Sequence, residues 1–171
     1  GIEDSRAHMN WWLDDLASNK VEDRLAKSNK WATTPGKKPM EWYTKAADRI
    51  RLLEDTDGDG KADRSTIFSR DFNGPLDGTG AGLLAYRGNL YYTSIPNLWL
   101  LRDTKGVGKA DEYKSLSYGY GVRDALGGHD MTGLVPGPDG QLYFSMGYRR
   151  DNIQQSHLRH PLAVRPGAVL R

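Results

Sequence analysis

Leu52-Leu53-Glu54-Asp55-Thr56-Asp57-Gly58-Asp59-Gly60-Lys61-Ala62-Asp63 is answered 48 positions later by Leu100-Leu101-Arg102-Asp103-Thr104-Lys105-Gly106-Val107-Gly108-Lys109-Ala110-Asp111. A second echo pairs Gly88-Asn89-Leu90-Tyr91-Tyr92 with Gly140-Gln141-Leu142-Tyr143-Phe144, 52 positions on. Repeats spaced by roughly 40–50 residues, each carrying several short apolar runs, are the pattern of propeller blades. Working outward, Gly82 to Tyr86, Leu90 to Ser94, Leu98 to Arg102 and Glu112 to Leu116 read as one complete four-stranded antiparallel blade. Arg49 to Glu54 and Ser65 to Phe68 read as the last two strands of the blade before it. Thr132 to Val135, Gln141 to Met146 and Ala168 to Arg171 read as the first three of the blade after it.

The expected fold is therefore all-β. Residues 46–171 form a partial β-propeller of about two to three four-stranded antiparallel blades, and residues 1–45 form a short helical N-terminal segment with a linker. A closed propeller takes about four to eight blades. This one needs further blades from other chains or from another part of the protein, and its last blade ends on an open strand edge.

Within residues 8–30, Trp12, Leu13 and Leu16, and then Val21 and Leu25, recur at helical spacing. Asn19 with Glu22 three residues later has the form of a capping box, so a second short helix is expected there. Thr33-Thr34-Pro35-Gly36-Lys37-Lys38-Pro39 reads as a turn or linker.

Composition excludes several classes. The net charge is +2, with acidic and basic residues interspersed, which argues against a nucleic-acid footprint. No apolar stretch approaches the length of a spanning helix, so no membrane span is expected. Cysteine is absent, which rules out disulfides, thiolate metal sites and covalent c-type haem within this chain.

The segment Asp55 to Asp63 has the oxygen-rich spacing of a calcium loop. Asp55, Asp57, Asp59 and Asp63 occupy its first, third, fifth and ninth positions. Gly60 provides the sharp turn, and the carbonyl of Lys61 falls at the seventh position. An EF-hand would add a bidentate Glu at the twelfth position. Thr66 stands there, in a strand-like run, so a calcium loop between two strands fits better. The alternative is a polar turn without metal. In the second copy Lys105 and Val107 replace the middle aspartates, and no metal is expected there.

His129, in Gly127-Gly128-His129-Asp130, is the candidate general base, because a neutral imidazole accepts a hydroxyl proton near physiological pH. The same residues fit a structural loop histidine. The strand order puts His129 at the end of the sheets opposite the aspartate loop, so a calcium in that loop would stabilise a blade and not touch substrate. His157 and His160 read as a solvated loop. Tyr91, Tyr92, Tyr143 and Phe144 read as packing between sheets, and Trp11, Trp12, Trp31 and Trp42 as packing anchors.

The run from Arg49-Ile50-Arg51-Leu52-Leu53-Glu54 through the aspartate loop to Ser65-Thr66-Ile67-Phe68 and Asn73-Gly74-Pro75-Leu76-Asp77-Gly78 resembles planctomycete-type membrane-bound dehydrogenase-like β-propeller proteins, the haem-binding domain family. More distantly, His129 through Leu134-Val135-Pro136-Gly137-Pro138-Asp139-Gly140-Gln141-Leu142-Tyr143 resembles the glucose/sorbosone dehydrogenase propellers. These resemblances imply an extracytoplasmic protein, periplasmic or secreted, with pyrroloquinoline quinone as cofactor beside calcium. They also imply a sugar or alcohol substrate, a c-type cytochrome domain as partner, and a general-base role for His129. The chain departs from the enzymes at Gly133, where they often carry Arg, and at Gly147-Tyr148, where they often carry Gly-Asp. Against the dehydrogenase expectation stands a non-catalytic, calcium-stabilised propeller used for binding or assembly.

Overall fold

A computed structural model describes residues 11–123, 130–147, 151–155, 162–164 and 169–170, the last three stretches by their backbone. Three short helices come first: α1 (Trp12–Ala17), α2 (Val21–Ala32) and α3 (Met40–Tyr43). The strands follow as β1 (Asp48–Glu54), β2 (Arg64–Phe72), β3 (Gly82–Tyr86), β4 (Asn89–Ser94), β5 (Asn97–Arg102), β6 (Glu112–Tyr118), β7 (Met131–Pro136), β8 (Leu142–Met146), β9 (Asp151–Gln155), β10 (Leu162–Val164) and β11 (Val169–Leu170). Every strand pairing is antiparallel. The chain is mostly β, as its repeated short apolar runs predict.

The strands form three sheets, ordered β1-β2, then β10-β9-β6-β5-β4-β3, then β11-β8-β7. The expected complete four-strand unit is the meander β3-β4-β5-β6. Two strands that the repeat did not announce, β9 and β10, extend it. β9 adds to β6 through Ser117↔Gln155 and Tyr118↔Gln154. The outer edge of β6 is thus covered near its end, a common way to protect such an edge.

Alternation along each strand builds two cores, one on each face of the central sheet. Successive side chains point to opposite faces. Tyr92 and Leu101 therefore meet Ile50 and Phe72 of the β1-β2 sheet, with Leu90, Trp99 and Phe68 packed around them. Leu98, with Leu84, Tyr91 and Leu116 beside it, meets Met131, Leu134, Phe144 and Met146 of the third sheet. Hydrogen bonds to backbone carbonyls lock the stack. The Ala110 N–H donates to the Phe68 carbonyl at 2.9 Å, and the Thr93 hydroxyl donates to the Met131 carbonyl at 2.7 Å. The expected packing roles of Tyr91, Tyr92 and Phe144 correspond to these contacts.

The helical segment corrects two local expectations. Leu13 is 80% exposed, and the inward residues of the first turn region are Trp11, Asp15 and Ser18. The apolar stripe Trp12-Leu13-Leu16 is therefore not the packed face. α2 does start where expected, but its box is closed by Asp23 and not by Glu22. The Asp23 carboxylate accepts from the Asn19 and Lys20 N–H groups at 2.9 and 3.1 Å, while the Asn19 amide turns back to the Ala17 carbonyl. Only the carboxylate half of a capping box is thus present, one residue later than expected, and the Asp23 N–H bonds the Lys20 carbonyl. Trp11 stacks on Trp31 with centroids 6.0 Å apart and lies against Tyr43.

Antiparallel meanders place their loops alternately at two ends. One end carries the aspartate loops and the tight turns at Arg87-Gly88 and 137–141. The other carries residues 73–81, 95–96 and the β6-to-β7 connection. The helices sit at this second end. An Arg24 guanidinium N–H donates to the Leu76 carbonyl at 2.8 Å, the Arg123 guanidinium to the Leu16 carbonyl at 2.7 Å, and the Tyr118 hydroxyl to Glu22 at 3.0 Å. Burial, followed by the Glu22 carboxylate, pushes the Tyr118 hydroxyl up to about 12. Residues 11–43 are thereby tied to the sheets at the end opposite the aspartate loop.

Candidate metal centre

The β1-β2 connection is built by its own aspartates. Both oxygens of Asp55 accept from backbone, one from the Gly58 N–H at 2.7 Å and one from the Gly60 N–H at 2.8 Å. Gly58 and Gly60 adopt φ +80 and +86, a region that side chains resist. Asp63 closes the loop from the far side, accepting from the Thr56 N–H at 3.0 Å and the Thr56 hydroxyl at 2.6 Å. The N–H of Asp63 donates to the Glu54 carbonyl.

Asp55, Asp57 and Asp59 each offer a carboxylate oxygen within 4.8 Å of the others, and all three are exposed. Three carboxylates this close repel one another, and a hard divalent cation with oxygen ligands relieves that repulsion. The donor set therefore fits calcium. Of the sequence-derived set, the structure brings these three together. Asp63 instead engages Thr56 with both oxygens. Thr56 was missed by sequence reasoning, yet its signal is present, since Thr104 recurs at the matching place.

The sister loop between β5 and β6 keeps the Thr–Asp closure and the bond to the first aspartate from five residues on, without the carboxylate trio. Thr104 donates its N–H and its hydroxyl to Asp111 at 2.8 Å each. Asp103 accepts from Val107 and Gly108. The Lys105 ammonium lies 3.5 Å from Asp111. The first and ninth aspartates thus hold both loops, and in the first copy the middle carboxylates add one bond each, Asp57 accepting from the Asp59 N–H at 3.2 Å and Asp59 from the Lys61 N–H at 2.8 Å.

Electrostatics agree with this division. Backbone N–H groups of Gly60 and Gly58 hold the Asp55 carboxyl below the usual carboxylate range, and the Thr56 hydroxyl and N–H do the same for Asp63. A lowered folded-state pKa means that the hydrogen bonds stabilise the loop fully above the unfolded value, about pH 4, and lose that effect as the pH falls through the folded value. Thr56→Val keeps the N–H and removes the hydroxyl, so Asp63 should titrate at a higher pH than in the wild type. Carboxyl carbon shifts followed by NMR read this directly, and an unchanged Asp63 titration would remove the account.

His129, His157 and His160 lie outside the described residues. The quinone expected from the resemblance is a tricarboxylate and needs cations facing it. Two guanidinium groups at that end, Arg24 and Arg123, donate to the Leu76 and Leu16 carbonyls and hold the helices in place. The His129 segment through which the resemblance points to the quinone lies outside the described residues.

The sequence profile of a family described as a domain of unknown function, DUF7133, matches residues 27–167, most of the chain. The chain belongs to this family. No curated protein and no solved structure matches it. The DUF7133 match runs from the middle of α2 to beyond β10, so it takes in the aspartate loop, its sister copy and every described strand except β11. Among the described residues, no helix is long and apolar enough to cross a membrane.

Proposed function

We propose that this chain is a calcium-stabilised portion of a β-propeller that serves binding or assembly. The observation that carries this reading is the convergence of the Asp55, Asp57 and Asp59 carboxylates in a loop whose sister copy keeps the first and ninth aspartates and closes on Thr104 without the middle pair. Asp57 and Asp59 each give one oxygen to a backbone N–H of the loop and keep the other for a ligand. Support for the propeller comes from three consecutive antiparallel sheets with apolar cores on both faces of the central one. On this reading β3 to β6 form one blade, β1-β2 the outer half of the blade before it, and β7, β8 and β11 most of the blade after it.

The loop lies at the far end of the sheets from the helices, so the cation acts as a staple on the β1-β2 hairpin. When bound, calcium supplies positive charge that cancels the mutual repulsion of the three carboxylates. Asp55 orients the backbone, and Asp63 with Thr56 keeps the loop closed.

Millimolar calcium should raise the melting temperature of the wild type, and chelation should reverse the rise. Asp57→Asn and Asp59→Asn should each abolish most of the shift, and Lys105→Ala should leave it intact. Differential scanning calorimetry with calcium and with magnesium decides the matter. A melting temperature indifferent to calcium would take away the reading's main support. Magnesium is the instructive control, because its demand for near-octahedral coordination suits an open carboxylate loop poorly.

A further inference from the structure

The sequence holds one Asn-Gly step, Asn73-Gly74, and Asn73 is exposed. Asparagine is thermolabile. It loses its amide when the next backbone nitrogen attacks its side-chain carbonyl carbon. Glycine gives that nitrogen the most freedom and puts no side chain in its way. Both residues are nevertheless tied into the fold. The Asn73 amide donates to the Thr44 carbonyl at 3.1 Å, which joins the end of α3 to the loop after β2. Gly74 lies so close to Asp77 that a Cβ there would meet a carboxylate oxygen at 3.1 Å. The labile step thus stands where the packing calls for its two residues.

One bond holds the attacking nitrogen away. The Gly74 N–H donates to an Asp77 oxygen at 2.8 Å. A carboxylate acceptor favours the protonated N–H and so opposes the ionisation that attack requires. The turn that places Asp77 is closed by its own N–H on the Gly74 carbonyl at 3.0 Å. Pro75 stands at its second position, where the fixed φ of proline suits such a turn. Neighbours fix the turn from both sides. Arg24 of α2 donates to the Leu76 carbonyl at 2.8 Å, and the Gly78 N–H donates to the Ile95 carbonyl at 2.9 Å.

We propose that Asn73 is a deamidation site held shut by Asp77. When the Gly74–Asp77 bond opens, the Gly74 nitrogen loses its proton to solvent base and attacks the Asn73 Cγ. A bond forms between that nitrogen and Cγ, the Cγ–Nδ2 bond breaks, and the amide nitrogen leaves as ammonia with a proton taken from water. Water then opens the cyclic imide at either carbonyl and leaves aspartate or isoaspartate. No oxidant or reductant takes part. The product carries a carboxylate where the amide donated, so the Thr44 carbonyl loses its donor and a second negative charge joins Asp77 in the same loop. Isoaspartate also lengthens the main chain by a methylene next to Phe72, which is 5% exposed and pairs with Asp48 at the start of β1. Deamidation thus acts as a slow covalent release at the end of the sheets where the helices dock. The inference does not depend on calcium in the aspartate loop.

The test holds the whole chain in mildly alkaline buffer and follows ammonia loss and isoaspartate at Asn73 by peptide mapping with mass spectrometry. An acetylated, amidated peptide of residues 70–78 sets the rate without the fold. Wild type should convert at least about tenfold more slowly than the peptide, the ratio expected when a hydrogen bond to a charged group must open first. Asp77→Ala should bring Asn73 within about threefold of the peptide rate, because the turn then opens at little cost. Asp139-Gly140 is the internal control, since its glycine N–H donates to the Gly137 carbonyl at 3.1 Å and does not involve Asp77. Its isoaspartate content should be the same in wild type and Asp77→Ala. Asn73→Asp stands in for the product and should speed amide exchange at Thr44, whose N–H closes α3 on the Met40 carbonyl. Unchanged exchange there would overturn the release. A wild type that converts as fast as the peptide, or an Asp77→Ala variant no faster than wild type, would overturn the proposal. So would an equal rise at Asp139-Gly140, because the opening would then belong to the whole fold and not to this turn.

Discussion

Lys27→Met is expected to lower the free energy of unfolding by about 3–5 kcal/mol, the usual loss when one partner of a buried ion pair is removed. The Lys27 ammonium lies 2.6 Å from an Asp15 oxygen, and the two side chains are only 2% and 4% exposed. Methionine keeps most of the volume of lysine, so packing changes little and the main consequence is a buried carboxylate without its ammonium. The double variant Lys27→Met with Asp15→Leu separates the causes. Replacing a whole buried pair by apolar groups of similar size is often neutral or stabilising, so the double variant should recover most of the loss. Urea unfolding followed by tryptophan fluorescence measures both, because Trp11 lies beside the pair, 5.9 Å from the Lys27 ammonium. A single-variant loss below about 1 kcal/mol, or a double variant no better than the single, would show that the pair is not what secures α1 to α2.

Leu101→Ala should lower stability by about 2–5 kcal/mol, the range for truncating a buried leucine to alanine. Leu101 is fully buried and packs in the cluster of Ile50, Phe72, Tyr92 and Ala110 that joins the β1-β2 sheet to the central sheet. The β1-β2 sheet has only two strands, and such a pair is marginal in water unless it packs on something else. The cavity should therefore be felt most on that side, with faster amide exchange in β1 and β2 than in β7 and β8. Leu53, 62% exposed on β1, is the control, and Leu53→Ala should change stability by no more than about 0.5 kcal/mol. Uniform loosening across all three sheets would contradict this local account.

Both variants probe contacts that the sequence announced unevenly. The strands were legible because short apolar runs recur between turn residues, and because the 48-residue echo predicted where a second set would fall. Leu90 and Leu101, cross-strand partners in β4 and β5, lie in runs that the repeat had already marked. The Asp15–Lys27 pair was not legible. Its residues are polar, they interrupt an apolar stripe at Trp12, Leu13 and Leu16, and a buried polar face leaves no hydrophobic period to read. The β9-β10 hairpin was missed for a related reason. Asp151-Asn152-Ile153-Gln154-Gln155 is polar and becomes a strand by bonding to the free edge of β6, which is a property of the neighbour and not of the segment.

The candidate site divides the same way. The calcium-like spacing of the aspartates could be read directly, since a loop's ligands are near in sequence and its glycines are required locally. That Asp55, Asp57 and Asp59 converge while Asp63 turns to Thr56 could not be read, because all four suit the same spacing and only the folded hairpin decides which oxygens backbone and hydroxyl groups claim.

The sequence by itself determined the class of the chain, the order of its strands and the aspartate loop, because these follow from side-chain periodicity and turn chemistry within a few residues. Tertiary structure alone decided that the helices dock at the end away from that loop, that β9 covers the β6 edge, and that the Asn73 amide meets the Thr44 carbonyl. Those outcomes depend on which surfaces meet across distant positions, such as Arg24 with Leu76 or Tyr118 with Glu22. No local pattern encodes a meeting of that kind.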